Sequence, residues 1–236
     1  MAHNLLLDVL PKEERERIAA HCETVILRSR MTLIEPDTIP SHVWFPNSGV
    51  CSSLVQAENG EAVEVALVGR EGLVGISLVL GGTTNAFHVI VQADGAATRI
   101  AREPFTELFL EPGRPFCAAL FKYANLYLTT VAQSAVCNRL HRIEQRLARW
   151  LLDFRDRTDS EVLPITHELL ALMVGAYRPS VSNTLKAFEE RGIISVGRGR
   201  VTILNEAGLG VEACECHRAI RRRTEGTLDQ IRSMAA

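Results

Sequence analysis

The sequence predicts an α+β protein: an N-terminal β-barrel or jelly-roll sensor domain (residues 1–114), a long central dimerisation helix with its hinge (115–141), and a C-terminal winged helix-turn-helix domain (142–236). Three observations lead there. Short β-branched runs punctuated by turn residues occupy the first hundred residues. From Pro115 the apolar spacing becomes that of one long helix. Between Pro164 and Leu204, residues Ala171, Gly175 and Val181 fall at helix-turn-helix spacing, and a basic hairpin follows.

The N-terminal runs are Val25 to Leu27, Thr32 to Ile34, Val43 to Phe45, Val50 to Val55 and Val63 to Val68, after a small helix around Pro11 to Cys22. Turns are expected at Glu35-Pro36-Asp37, Pro46-Asn47-Ser48-Gly49 and Glu58 to Glu61, where Gly, Pro and Asn supply the required backbone angles. Glycines interrupt the next stretch, and His88 to Gln92 and Ala97 to Ile100 read as closing strands.

In the central helix Phe116, Leu120, Tyr123, Tyr127, Thr130, Ser134 and Cys137 alternate four and three apart, the spacing of a two-helix seam. They are the expected homodimer contact, although packing against the same chain's barrel uses the same kind of stripe. A hinge is expected at Asn138 to Arg142, then a helix from Ile143 to Arg155 with Leu147, Trp150, Leu151 and Phe154 inward.

The helix-turn-helix follows. Its first helix is expected from Thr166 to Val174, with Gly175 ending it by adopting positive φ. Pro179 sits in the first turn of the next helix, where its missing N–H costs little. Val181, Leu185 and Phe188 face the core, which leaves Arg178, Pro179, Ser180, Ser182, Asn183 and Lys186, with Thr166, for double-stranded DNA. The hairpin tip offers Arg198 and Arg200 to phosphates. Residues 142–236 hold 15 Lys and Arg against 13 Asp and Glu, whereas residues 1–141 hold 11 against 15. The positive charge therefore collects where a polyanion is expected to bind, despite a formal net charge of −2.

Arg178-Pro-Ser-Val-Ser-Asn-Thr-Leu-Lys186, Gly192-Ile-Ile194 and the order of parts resemble the Crp/Fnr family of bacterial transcription regulators. The resemblance covers nearly the whole chain and extends to the turns Phe45 to Gly49 and Val68 to Gly72. It implies a homodimer on a palindromic promoter site, RNA polymerase as a further partner, and Arg178 as the guanine-reading residue. Pro179 stands where many members place a base-contacting glutamate, and Asn183 where many place an arginine. The operator of the cyclic-AMP receptor branch is therefore not expected.

A cyclic-nucleotide site in this family needs an arginine for the phosphate, and from Glu71 through Thr98 there is no Lys or Arg. A pocket, if present, would draw on Glu71, Gly72, Thr83, Thr84, His88 and Tyr127. Only Cys22 and Cys51 lie in the first hundred residues, too few for the oxygen-sensing branch's iron–sulfur cluster. No haem ligand stands out among His21, His42 and His88.

Cys214-Glu-Cys216-His217 has metal-ligand residue types but lacks a fourth ligand and wider spacing, so a helix with inward-packed cysteines and no metal is expected. No cofactor is expected. The six scattered cysteines argue against a disulfide framework. Met1 to Val9 is too short and uncharged for a secretory leader and no run of 18 apolar residues occurs, so a cytoplasmic protein without membrane contact is expected. No catalytic motif appears, and an enzyme is not expected. The competing reading is a small-molecule or redox-sensing module whose helix-turn-helix serves protein contacts.

Overall fold

The computed structural model describes residues 4–234. Met1 to His3, where the segment weighed as a leader begins, lie outside the described residues, as do the last two residues of the 142–236 unit. Two short helices, α1 (Leu5–Asp8) and α2 (Lys12–Ala19), precede β1 (Cys22–Leu27), β2 (Thr32–Ile34), β3 (His42–Gln56) and β4 (Ala62–Val68). Then come α3 (Ile76–Val79), β5 (His88–Ala101), α4 (Arg102–Leu110) and the 26-residue α5 (Pro115–Leu140). The C-terminal part runs α6 (Ile143–Thr158), β6 (Val162–Leu163), α7 (His167–Met173), α8 (Arg178–Glu190), β7 (Ile194–Gly197), β8 (Arg200–Ile203), α9 (Glu206–Glu212) and α10 (Cys216–Met234).

The β domain is one antiparallel sheet in the order β1-β5-β3-β4, with β2 also on β5. It is jelly-roll-like, but strand pairing does not close it into a barrel. Two expected boundaries are absent. No turn separates Phe45 from Val50: β3 runs through Pro46 to Gly49, absorbing the interruption as register shifts against β5. Gly49 takes φ +80° there, and a Cβ on it would lie 2.6 Å from the Ala93 carbonyl oxygen, so the bulge requires glycine. His88 to Gln92 and Ala97 to Ile100 are likewise halves of the single strand β5.

Period-two alternation gives this sheet two apolar faces. Ala66 and Val68 join the larger core, formed with α5 around Phe45, Phe105, Phe116 and Leu120. Leu67, with Val50, Leu54 and Ala93, points the other way into a second core containing Trp150, Phe154, Leu170, Leu185 and Phe188. The winged domain is therefore packed on the back of the β sheet. Polar contacts cross the same junction: Trp150 Nε1 donates to Glu64 Oε1 (2.8 Å), and Arg157 pairs with Glu71 (2.7 Å), while within the sheet Ser52 Oγ donates to Glu64 Oε2 (2.5 Å). Burial pushes the Glu64 carboxyl up to about 7, against the opposing pull of these donors and of Arg149.

The expected dimer seam faces inward. Phe116, Leu120, Tyr123, Tyr127, Ser134 and Cys137 are all buried within the chain, and Thr130 is half-buried with its hydroxyl donating to the Leu126 carbonyl. The stripe is buried within the chain, and of the two neighbours its spacing allows the protein's own β domain covers most of it, while Cys137 packs with Cys214 and Cys216. The face of α5 left open carries Phe121 (56 % exposed), Asn125, Leu128 (66 % exposed), Ala132 and Ala135, also four and three apart. No helix of the described residues is long and apolar enough to cross a membrane.

Candidate nucleic-acid interface

Local sequence fixes the two helices. Thr166 caps α7, its side chain accepting from the Leu169 N–H at 3.2 Å. Gly175 ends α7 at φ +57°, while the Gly175 and Ala176 N–H groups bond back to Leu172 and Ala171. The turn rests on β4, with Val63 Cγ2 2.9 Å from where a Gly175 Cβ would stand. α8 starts at Arg178 with Pro179 in its first turn and ends the same way at Gly192 (φ +67°), where Ile193 N–H bonds to the Phe188 carbonyl. Val181, Leu185 and Phe188 are buried, which fixes the outward face of α8.

That face holds most of the expected DNA-contacting residues. Arg178, Pro179, Ser180, Asn183 and Lys186 are exposed. Beside them β6, β8 and β7 form the wing sheet, with exposed Arg198 and Arg200 at its tip. Neither wing arginine enters an ion pair among the described residues. Two expected contacts are engaged internally: the Thr166 side chain caps α7, and half-buried Ser182 hydrogen-bonds His167 Nδ1 (2.9 Å), joining the two helices. Arg178 Nε meets Glu168 Oε1 at 2.8 Å, both side chains being exposed. Tyr177, 77 % exposed immediately before α8, was not singled out in the sequence; its position beside Arg178 was the available signal.

The residues considered for an effector pocket are occupied separately. Glu71 is held by Arg157, and Gly72 lies so close to the Tyr123 ring that a Cβ would collide with it. His88 Nε2 contacts Thr32 Oγ1 (3.2 Å), Thr83 and Thr84 are exposed, and Tyr127 packs edge-on against Phe87. The expected Cys214-Glu-Cys216-His217 grouping also divides. His217 turns to Asp156 (3.0 Å), whereas Cys214 and Cys216 meet Cys137 and His141 from the end of α5.

The arrangement defines a two-part protein, a β domain joined through one long helix to a winged helix-turn-helix. Residues 145–211 match the model of the Crp-like helix-turn-helix domain, and the chain as a whole has the fold of Crp/Fnr-family transcriptional regulators. A Crp/Fnr-family regulator from Thermus thermophilus is 21 % identical with a TM-score of 0.67, covering 81 % of this chain and 98 % of its own. The c-di-GMP responsive global regulator CLP of Xanthomonas campestris gives 19 %, 0.67, 81 % and 98 %. FixK2 of Bradyrhizobium japonicum gives 14 %, 0.69, 82 % and 98 %. No curated protein matches the chain.

Proposed function

We propose that the protein is a sequence-specific DNA-binding transcription regulator that acts as a homodimer on a palindromic site in the cytoplasm, without a cyclic nucleotide and without catalytic activity. The observation that carries the reading is the continuous exposed face of Arg178, Ser180, Asn183 and Lys186 on α8 with Arg198 and Arg200 on the wing. A helix of this kind enters a major groove, with Arg178 reading guanine O6 and N7 while the wing holds phosphate. Thr166 remains a backbone contact through the half-buried start of α7, and Ser182 a positioning residue through His167.

The dimer is assigned to the open face of α5, where Phe121, Leu128, Ala132 and Ala135 form a seam with Asn125 within it. An asparagine at such a position favours an in-register, parallel pair. The lack of any Lys or Arg from Glu71 through Thr98, together with the capture of Glu71 by Arg157, supports cyclic-nucleotide independence. RNA polymerase is the partner through which such a regulator would act.

Selection of genomic DNA fragments by the purified, ligand-free protein tests the reading. Enrichment of a palindrome with half-sites about one duplex turn apart is expected, unchanged by added cyclic AMP or cyclic GMP. Recovery of fragments without a shared sequence would reject specific recognition by this protein.

A further inference from the structure

Three thiols and an imidazole converge where α5 meets the joint between α9 and α10. Cys137 and His141 lie one helical turn apart at the end of α5, and Cys214 and Cys216 flank Glu215 just before and at the start of α10. One ligand atom from each lies within 4.8 Å of all the others. Cys137 Sγ and Cys214 Sγ are 3.6 Å apart, as are Cys216 Sγ and His141 Nδ1. All three cysteines are buried.

We propose that Cys137, His141, Cys214 and Cys216 form a mononuclear Zn²⁺ site that pins the end of the long helix to the joint between α9 and α10. Tetrahedral zinc with Zn–S of about 2.3 Å and Zn–N of about 2.0 Å places sulfurs about 3.8 Å apart and sulfur and nitrogen about 3.5 Å apart. The observed separations fall beside both values. A polynuclear iron–sulfur cluster binds its thiolates through separate irons and needs a wider ligand set than this one. Three sulfurs with one imidazole in a closed, buried set is the donor chemistry of structural zinc.

Polar side chains flank the ligand atoms from outside the set. His141 Nε2 lies 3.2 Å from Glu215 Oε1, so the carboxylate holds the proton on Nε2 and leaves the Nδ1 lone pair for the metal. Gln133 Nε2 donates to Cys216 Sγ at 3.1 Å, a contact that favours a thiolate. Arg149, buried and paired with Asp153 at 2.7 Å, is also close enough to act electrostatically on Cys137 and Cys214. On binding, each thiol that is still protonated releases its proton to solvent and neutral His141 completes the set, with no electron transferred. Three thiolates and Zn²⁺ leave one negative charge, beside the buried Arg149–Asp153 pair.

Zinc here would close a loop containing α6, the helix-turn-helix and the wing, since Cys137 and Cys214 are 77 residues apart. It would hold the hinge between α5 and α6. The inference does not depend on DNA recognition, because its readout is the metal.

The full-length protein, purified with a reductant and without chelator or metal-affinity capture, should contain one zinc per chain by mass spectrometry. Exchange with Co²⁺ should give the intense visible bands of tetrahedral thiolate coordination. His141→Ala should lose the metal and His141→Cys should keep it, a pair that separates ligand loss from misfolding. Chelation should speed trypsin cleavage at Arg139 and Arg142; an unchanged rate would overturn the pinning role. Substoichiometric zinc with no cobalt bands, or a Cys137–Cys214 disulfide in the protein as purified, would overturn the site.

Discussion

Under the proposed function, the contact Arg178 makes within the chain competes with its contact to DNA. Its pair with Glu168 is exposed on both sides, where solvent screening leaves little net strength. A bidentate contact with guanine contributes about 1–3 kcal/mol of discrimination, so base recognition outweighs the internal pair. Arg178→Ala should therefore cost specific binding roughly 5- to 150-fold in Kd while leaving non-specific binding largely intact, by fluorescence anisotropy on the selected site and a scrambled one. Glu168→Gln should act oppositely, tightening binding by up to about fivefold at low salt, because it frees Arg178 and removes a negative charge near phosphate. A second residue-scale prediction concerns Gly72, whose missing side chain admits the Tyr123 ring while Tyr123 Oη donates to the Leu73 carbonyl. Gly72→Ala should lower thermal stability by about 1–3 kcal/mol, as overpacking does, and a Tm within a degree or so of the parent would reject that close approach. The Gly175 and Gly192 turns and the outward arginines were legible from spacing because local chemistry decides them. The Ser182–His167 bond and the Arg157–Glu71 pair were not, since they join residues whose meeting depends on packing.

Among elements, the junction between the β sheet and α6 makes stability depend on pH. Glu64 lies on β4, hydrogen-bonded by Ser52 and by Trp150 of α6, with Arg149 and Arg157 of α6 the cations acting on it. Its carboxyl titrates near 7 when folded, against 4.5 for an unperturbed side chain. Between those values the folded protein binds more protons than the unfolded one, so stability falls as pH rises through the window. The full loss is on the order of 3 kcal/mol at 1.36 kcal/mol per unit. Glu64→Gln should flatten urea stability between about pH 5 and 7.5, with Trp150 fluorescence reporting the junction. A parent profile already flat, or a variant with the same slope, would remove Glu64 as the cause. Sequence patterning found the strands but divided β3 and β5 in two, because Pro46 to Gly49 has turn composition and only the register against β5 shows that it is a bulge. The sheet's second buried face was equally hidden. Leu67 alternates with Ala66 and Val68 as any strand residue does, and nothing local says that a second domain covers it.

At the scale of the whole molecule the open face of α5 decides how two recognition helices could be presented together. A seven-residue repeat in a helix names an apolar stripe and not its neighbour, and α5 has two such stripes. The chain's own β domain covers most of the one through Leu120 and Tyr127, so the proposed homodimer would use the one through Phe121, Leu128, Ala132 and Ala135. Leu128 is the sharper test because it is exposed in the single chain, so a charge there leaves the internal cores untouched. Leu128→Arg should give a monomer by sedimentation at micromolar concentration with the parent's circular dichroism. Tyr127→Ala, by contrast, should lower stability by about 3–5 kcal/mol, as removal of a buried aromatic does. If half-sites are read jointly, the Leu128→Arg monomer should lose most of its affinity for the full palindrome and retain that for a single half-site. It should also lose about half the salt dependence, since log K falls by about 0.9 per log unit of salt for each phosphate contact and the dimer makes twice as many. A Leu128→Arg protein that remains dimeric would move the interface off α5, and with it the spacing expected between half-sites.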